Sequence, residues 1–441
     1  MIRRRQLLRA SAGVLAAPAL VEKVGAQSAF DWKQCKGQAI EVNYQLSPRA
    51  DVAKGNMKQF EELTGIKVGF EQIPEQQQRP KAAIELASGH PSFDVLQIAM
   101  HVQKRQVEAA HWMEDLGPYL KDPALTTPDF DLADFSKPSM AVATAADGKI
   151  TALPYNQDLF ILFYNKALLA EKGFAGPPKT QDELFDMAKK LTDPGKGVYG
   201  FVGRGLKNAN VVLYDTFLLG YDQETVTPDG KKLLTDTPKA IAAAQFYQKL
   251  MRECGPPGSV GFNWNEAQTT FMQGRAAMWI DGIGFSAPLL DPTKSKVTDK
   301  VGFSAVPAGP GGLYTATFID GIGVPAQAKN KKAAWLYCQF EAGQAAMNEI
   351  LRVGAGTPPR GSCYLNADVL KSAKFPKDWF EATLTSLRIA RSGLPVIVPV
   401  TEFRDIIGVG LTNIVGGGDA TTELKKATES AQAMLDKANA G

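Results

Sequence analysis

Gly148 to Gly173, GKITALPYNQDLFILFYNKALLAEKG, constrains this chain more than any other stretch. Two apolar runs, Ile150 to Leu153 and Leu159 to Tyr164, flank the polar group Tyr155, Asn156, Gln157 and Asp158. Both runs are short, rich in Ile, Leu, Phe and Tyr, and bounded by Gly or Pro, which favours two strands over a helix. Pro154 removes a backbone donor and biases Leu153 toward extended geometry, so the chain passes this point extended. A polar group strung between two buried strands is how a chain passes from one lobe to another. Such boundaries are where ligand sites are commonly built.

The elements on either side are α/β. A strand (Ile40 to Gln45), a turn at Ser47-Pro48, a helix (Asp51 to Leu63) ended by Gly65 and a strand (Lys67 to Gln72) make a βαβ unit. That unit implies a parallel sheet whose ligand crevice lies at the carboxyl ends of the strands, so Tyr44 to Pro48 faces it. The strand Asp94 to Ala99 delivers Gln97, Met100 and His101 to the same edge. Past the crossing, a capping box at Thr180–Glu183, a strand at Tyr199 to Val202 and a capped helix from Thr237-Pro238 describe a second α/β lobe. Trp264 precedes a further helix. The tetrapeptide Asp281-Gly282-Ile283-Gly284 follows a strand, and Asp320-Gly321-Ile322-Gly323 follows another, Thr315 to Ile319. Two readings are open for the pair: loops that present an Asp and backbone N–H groups to one ligand from opposite walls, or glycines that simply allow a tight exit from a strand.

The N-terminus predicts export. Arg4-Arg5-Gln6-Leu7-Leu8-Arg9 is twin-arginine-like, with an ordinary secretion signal as the alternative, Ala10 to Leu20 is weakly apolar, and Val24-Gly25-Ala26 is a small-residue cleavage site that would leave Gln27 first. Of 49 basic and 46 acidic residues, the first 26 positions hold five and one, which leaves 44 against 45. A mature chain so nearly neutral, with no basic stripe, implies no nucleic-acid partner. Four cysteines, Cys35, Cys254, Cys338 and Cys363, leave three pairings open, and Cys338 in AAWLYCQF reads as a packed thiol. Three histidines and no CxxC give no zinc site.

LPYNQDLFILFYNKALLAEKGFAGPPKTQDELFDMAKKL resembles the first inter-lobe crossing of family 1 extracellular solute-binding proteins, the sugar receptors of bacterial ABC importers related to maltose-binding protein. FMQGRAAMWIDGIGFSAPLLDP (Phe271 to Pro292) and the segments from Val301 to Ser362 are similar to the same family, in the same order. The resemblance implies a two-lobed, type II periplasmic-binding-protein fold, each lobe a mixed, mostly parallel sheet flanked by helices and hinge-linked by several crossings, near Pro154, Asp320 and Phe375. It implies an export signal at 1–26, a first lobe of 27–153 plus 320–375, and a second of 154–319 plus 376–441. It also implies a periplasmic monomer, with a carbohydrate ligand and the ABC transporter membrane permease subunits as partners. No cofactor and no catalysis are expected.

A sugar or polyol needs short polar side chains for its hydroxyls and aromatic faces for its C–H surfaces. The candidate edges offer Tyr44, Gln45, Gln97, His101, Tyr155, Asn156, Asp158, Trp264, Asp281, Gly282, Asp320, Gly321 and Arg360. For Tyr155 and Trp264 the competing reading is core packing, and Arg360 could equally pair with a surface acid. Where several relatives place a stacking Trp after the second-lobe glycine loop, this chain has Gly284-Phe285. Two alternatives stand beside the sugar receptor: a receptor for a non-sugar solute, and an exported oxidoreductase using Gly282-x-Gly284-x-x-Ala287 as a dinucleotide fingerprint. Against the fingerprint, Pro288 falls where the N–H donors should begin to line up, and no first βαβ unit carries the motif.

Overall fold

The computed structural model describes residues 30–398 and 400–440, so the export signal lies outside the described residues. Nine strands, β1 (Ala39–Gln45), β2 (Lys67–Ile73), β3 (Val95–Ala99), β4 (Leu153–Asn165), β5 (Tyr199–Val202), β6 (Ala276–Gly282), β7 (Val301–Ala305), β8 (Thr315–Gly323) and β9 (Ala390–Ser392), form one connected sheet. Its order is β2-β1-β3-β8-β4-β6-β5, with β7 on β4 and β9 on β8. The pairs β1–β2, β1–β3, β5–β6 and β8–β9 are parallel, and every pairing of β4, together with β3–β8, is antiparallel.

The two runs flanking the polar group are one strand, not two. β4 pairs with β8 through Leu153 to Leu159 and with β6 and β7 from Phe160 onward, so it belongs to both halves of the sheet. Pro154 fits inside it because the β4–β8 register shifts between Pro154 and Asn156, which removes the need for its missing N–H. β8 also serves both halves: Asp320 to Gly323 continue the strand and pair with β3, so the second tetrapeptide is strand and not the loop expected from its glycines. Along β4 the side chains alternate between two cores. Leu159, Ile161 and Phe163 enter one and Phe160 and Leu162 the other. A strand buried on both faces reads as a continuous apolar run, which is how its second half appears in the sequence.

Helices cover both faces. The first, Pro48–Thr64, begins three residues earlier than the apolar pattern suggests, because Ser47 caps it through Ala50 N–H at 3.3 Å and Pro48 sits where no donor is needed. It ends at Gly65, whose φ of 72° is the left-handed conformation that favours glycine. The helix Lys331–Glu341 packs on the first half of the sheet and Pro238–Cys254 on the second, while Gln344–Val353 packs outside the first against Pro48–Thr64 and Val400–Gly416 outside the second against Pro238–Cys254. All four cysteines are buried free thiols. Among the described residues no helix is long and apolar enough to cross a membrane, and no His, Cys, Asp and Glu cluster is placed to hold a metal.

Candidate functional site

A cavity of about 530 Å3 lies where the two halves of the sheet meet. Its floor is the middle of β4. Asn156, Asp158 and Phe160 line it, while Tyr155 and Gln157, on the alternate face of the strand, are fully buried behind it. The first half contributes Gln45 from the end of β1, Arg49 from the first turn of Pro48–Thr64, Arg79, His101 and, from β8, Asp320. The second contributes Arg204 just after β5, Trp264 at the start of its helix, Phe285 and Arg404. Residues that follow the carboxyl end of a parallel strand fall at the crevice, which explains Gln45 and Arg204.

Two arginines that line the cavity, Arg204 and Arg49, are paired with carboxylates. Arg204 donates Nε–H to Asp281 Oδ2 at 2.9 Å and Nη2–H to its Oδ1, and Asp281 is wholly buried behind it. Arg49 donates Nη2–H to Asp320 Oδ2. His101 Nδ1 lies 3.1 Å from the Ile319 carbonyl and 3.9 Å from Asp320 Oδ1, and burial holds the ring below its ordinary pKa despite that carboxylate. Asp158 Oδ1 accepts the Gly284 N–H at 3.1 Å and its neighbour Leu159 N–H at 3.2 Å. Burial outweighs the Gly284 hydrogen bond and pushes the Asp158 carboxyl up to about 6. The glycine at 282 makes room for this carboxylate, since a Cβ there would stand 2.6 Å from Asp158 Oδ2.

Aromatic surface comes from one assembly. Trp264 stacks on Phe285 with ring centres 4.9 Å apart and planes 10° from parallel, and it remains 37% exposed. Phe285 therefore underlies the Trp264 ring, in a chain that lacks a Trp at that position. Arg204 lies over both Phe160 and Phe285, at 5.4 and 5.8 Å from their ring centres.

Of the residues singled out in the sequence, Gln45, His101, Asn156, Asp158, Trp264 and Asp320 line the cavity. The others lie elsewhere. Tyr44 is buried, stacked on Phe70 at 5.0 Å and edge-on to Tyr155 at 5.8 Å, and Tyr155 directs its hydroxyl to the Arg49 carbonyl at 3.2 Å. Gln97 is buried and accepts the Gln45 N–H at 3.1 Å, which holds the strand end that reaches the site. Asp281 sits behind Arg204, and Gly282 is closed off by Asp158. Gly321 is in β8, where a Cβ would strike Ala152 at 2.7 Å. Arg360 is buried between Phe135, at 4.0 Å, and Asp134, at 3.2 Å, beside a separate cavity of about 770 Å3 next to Trp32 and Phe340. The Gly284 amide is filled by a carboxylate, and the helix after it, Ser286–Leu289, has four residues, so the loop lacks the donors a pyrophosphate needs.

Arg49, Arg79, Arg204, Arg404, Phe160 and Phe285 were not singled out from the sequence. For Arg49 and Arg204 the signal existed, since each comes shortly after a strand that ends at the crevice.

Residues 47–347, more than half of the chain, match the family model described as bacterial extracellular solute-binding protein. The chain is 26% identical over 414 residues to an erythritol/L-threitol-binding protein of Mycolicibacterium smegmatis, covering 90% of this chain and 86% of that one. It is 27% identical over 350 residues to a mannitol-binding protein of Pseudomonas aeruginosa, covering 76% and 74%. A solute-binding protein of Agrobacterium radiobacter K84, solved in complex with ribitol, superposes with a TM-score of 0.76 at 24% identity, covering 90% of this chain and 99% of that one.

Proposed function

Because the chain belongs to the bacterial extracellular solute-binding proteins, we propose that it is the receptor of an ABC importer and captures a carbohydrate (sugar, oligosaccharide or polyol) between its lobes for delivery to the membrane permease. The observation that carries this reading is the cavity at the lobe junction. It pairs guanidinium donors and carboxylate acceptors with an exposed Trp264 face, the mixture that hydroxyls and C–H surfaces require. The erythritol-, mannitol- and ribitol-binding relatives point the same way. The protein works by binding without chemistry. It acts in the periplasm as a monomer, reached through the export signal at 1–26, and has no nucleic-acid partner. β4 and β8, shared by both halves of the sheet, serve as the hinge about which a ligand touching both walls draws the lobes together.

Thermal unfolding in the presence of erythritol, ribitol, mannitol, maltose and the common amino acids tests the reading. A carbohydrate at 100 times its Kd stabilises the folded state by about 2.7 kcal/mol and raises the midpoint. A rise with amino acids and none with any carbohydrate would identify a non-sugar receptor.

Trp264→Ala weakens carbohydrate binding at least tenfold, measured by calorimetric titration. It lowers the stability of the ligand-free protein by only about 1 kcal/mol, since what it loses is one stacked pair at a half-open position. A loss of about 3–5 kcal/mol would instead mark Trp264 as a core residue.

A further inference from the structure

The arginines of the cleft are all engaged within the protein. Arg204 is held by Asp281 and Arg49 by Asp320. Arg404 donates Nη2–H to the Asn208 carbonyl at 3.0 Å, and both it and Arg79 have further partners. Engagement does not exhaust their donors. A guanidinium carries five N–H groups, and two suffice for a carboxylate. Arg204 spends Nε–H and one Nη2–H on Asp281, and Arg49 one Nη2–H on Asp320. On the acceptor side, Asp158 Oδ1 takes two amide hydrogens while its Oδ2 takes none from the described residues. Arg49 and Arg204 thus keep spare donors although each is charge-paired with a carboxylate, beside spare acceptor capacity on Asp158.

We propose that Arg49 and Arg204, one from each wall, grip the ligand's hydroxyls, that Asp320 and Asp281 are the positioning residues that neutralise and aim them, and that this pairing selects neutral polyhydroxyl ligands over their carboxylate or phosphate derivatives. A hydroxyl both accepts and donates, so it takes a guanidinium N–H and gives its own hydrogen to Asp158 or Asp320. A ligand anion only accepts, and sets lone pairs against those same carboxylates. To use Arg204 fully it must draw that side chain off Asp281, which would then be left buried and uncompensated. The selection rests on the carbohydrate reading above and refines it.

The test is calorimetric titration of the intact protein with erythritol, ribitol, mannitol and glucose, each against its acid: erythronate, ribonate, mannonate and gluconate. At least one neutral member binds, and at least tenfold tighter than its acid. In Asp281→Asn the freed charge of Arg204 weakens the neutral ligand and strengthens the acid, narrowing the ratio at least fivefold. A merely structural role would weaken both alike. Asp320→Asn on the other wall shifts the ratio in the same direction and serves if Asp281→Asn does not fold. An acid that equals or outbinds its neutral parent overturns the selection while the carbohydrate receptor stands. Silence from all eight compounds overturns the selection, and silence from maltose in thermal unfolding as well takes down the receptor reading with it.

Discussion

Arg204→Ala lowers the stability of the ligand-free protein by about 3–5 kcal/mol at pH 7, among the largest effects expected of any single replacement at the cleft. The cause is what it leaves behind. Asp281 has no exposed surface, its Oδ1 already takes the Gly282 N–H at 2.7 Å, and the Arg204 guanidinium is its counter-charge. Taking that charge away leaves a carboxylate buried in a dry site without its partner. Replacing the pair together, Arg204→Met with Asp281→Leu, recovers at least half of the loss, because an apolar pair carries no desolvation cost. Urea unfolding followed by tryptophan fluorescence measures both variants. A loss below about 1 kcal/mol in the single variant would show that water screens Asp281, against its complete burial.

Much of the fold was legible because its signals are local. Tyr199–Val202 and the helix Pro238–Cys254, capped by Thr237, stand where apolar periodicity and flanking turn residues placed them. The crossing was misread in one respect with consequences for the site. Taken as two strands around a polar knot, it offered all four polar residues to the ligand. As one continuous strand it alternates, and alternation sorts them: Asn156 and Asp158 toward the cavity, Tyr155 and Gln157 away from it. The two Asp-Gly-Ile-Gly segments show the opposite limit. Both lie at strand ends, yet Asp320 lines the cavity and Asp281 hides behind an arginine 77 positions earlier in the chain. Each carboxylate meets an arginine from a distant segment, Arg204 for Asp281 and Arg49 for Asp320, and nothing local to either tetrapeptide encodes which of them stays open to the cavity. Long side chains such as Arg49 and Arg404 pose the same difficulty, since their reach spans several possible partners.

Glu341→Gln makes the protein more alkali-resistant by roughly 4–5 kcal/mol at pH 9–9.5, a difference that vanishes near pH 4.5. Glu341 ends the helix Lys331–Glu341 and has no exposed surface. It lies among the buried phenols of Tyr44, Tyr155 and Tyr337, with one hydrogen bond, from Asn56 Nδ2 to Oε1 at 3.4 Å, and with Oε2 unpartnered. Burial dominates over the Asn56 contact and raises the carboxyl from 4.5 to about 8. Between those values the folded chain keeps a proton that the unfolded chain has released, so stability falls as pH rises through that window. The contribution is complete below about pH 4.5 and lost above about pH 8. At about 1.36 kcal/mol per unit, the shift of 3.5 units between 4.5 and about 8 gives the stated magnitude. Glutamine has the shape of the protonated acid and no proton to lose. Other groups that titrate in alkali, such as the buried Cys254 thiol pushed up to about 12, destabilise both forms equally and drop out of the difference. Urea unfolding of the two proteins at half-unit intervals from pH 4.5 to 9.5 gives the curve. Parallel profiles across that range would mean that Glu341 is ionised at neutral pH, with a counter-charge or water reaching it between the helix and Asn56.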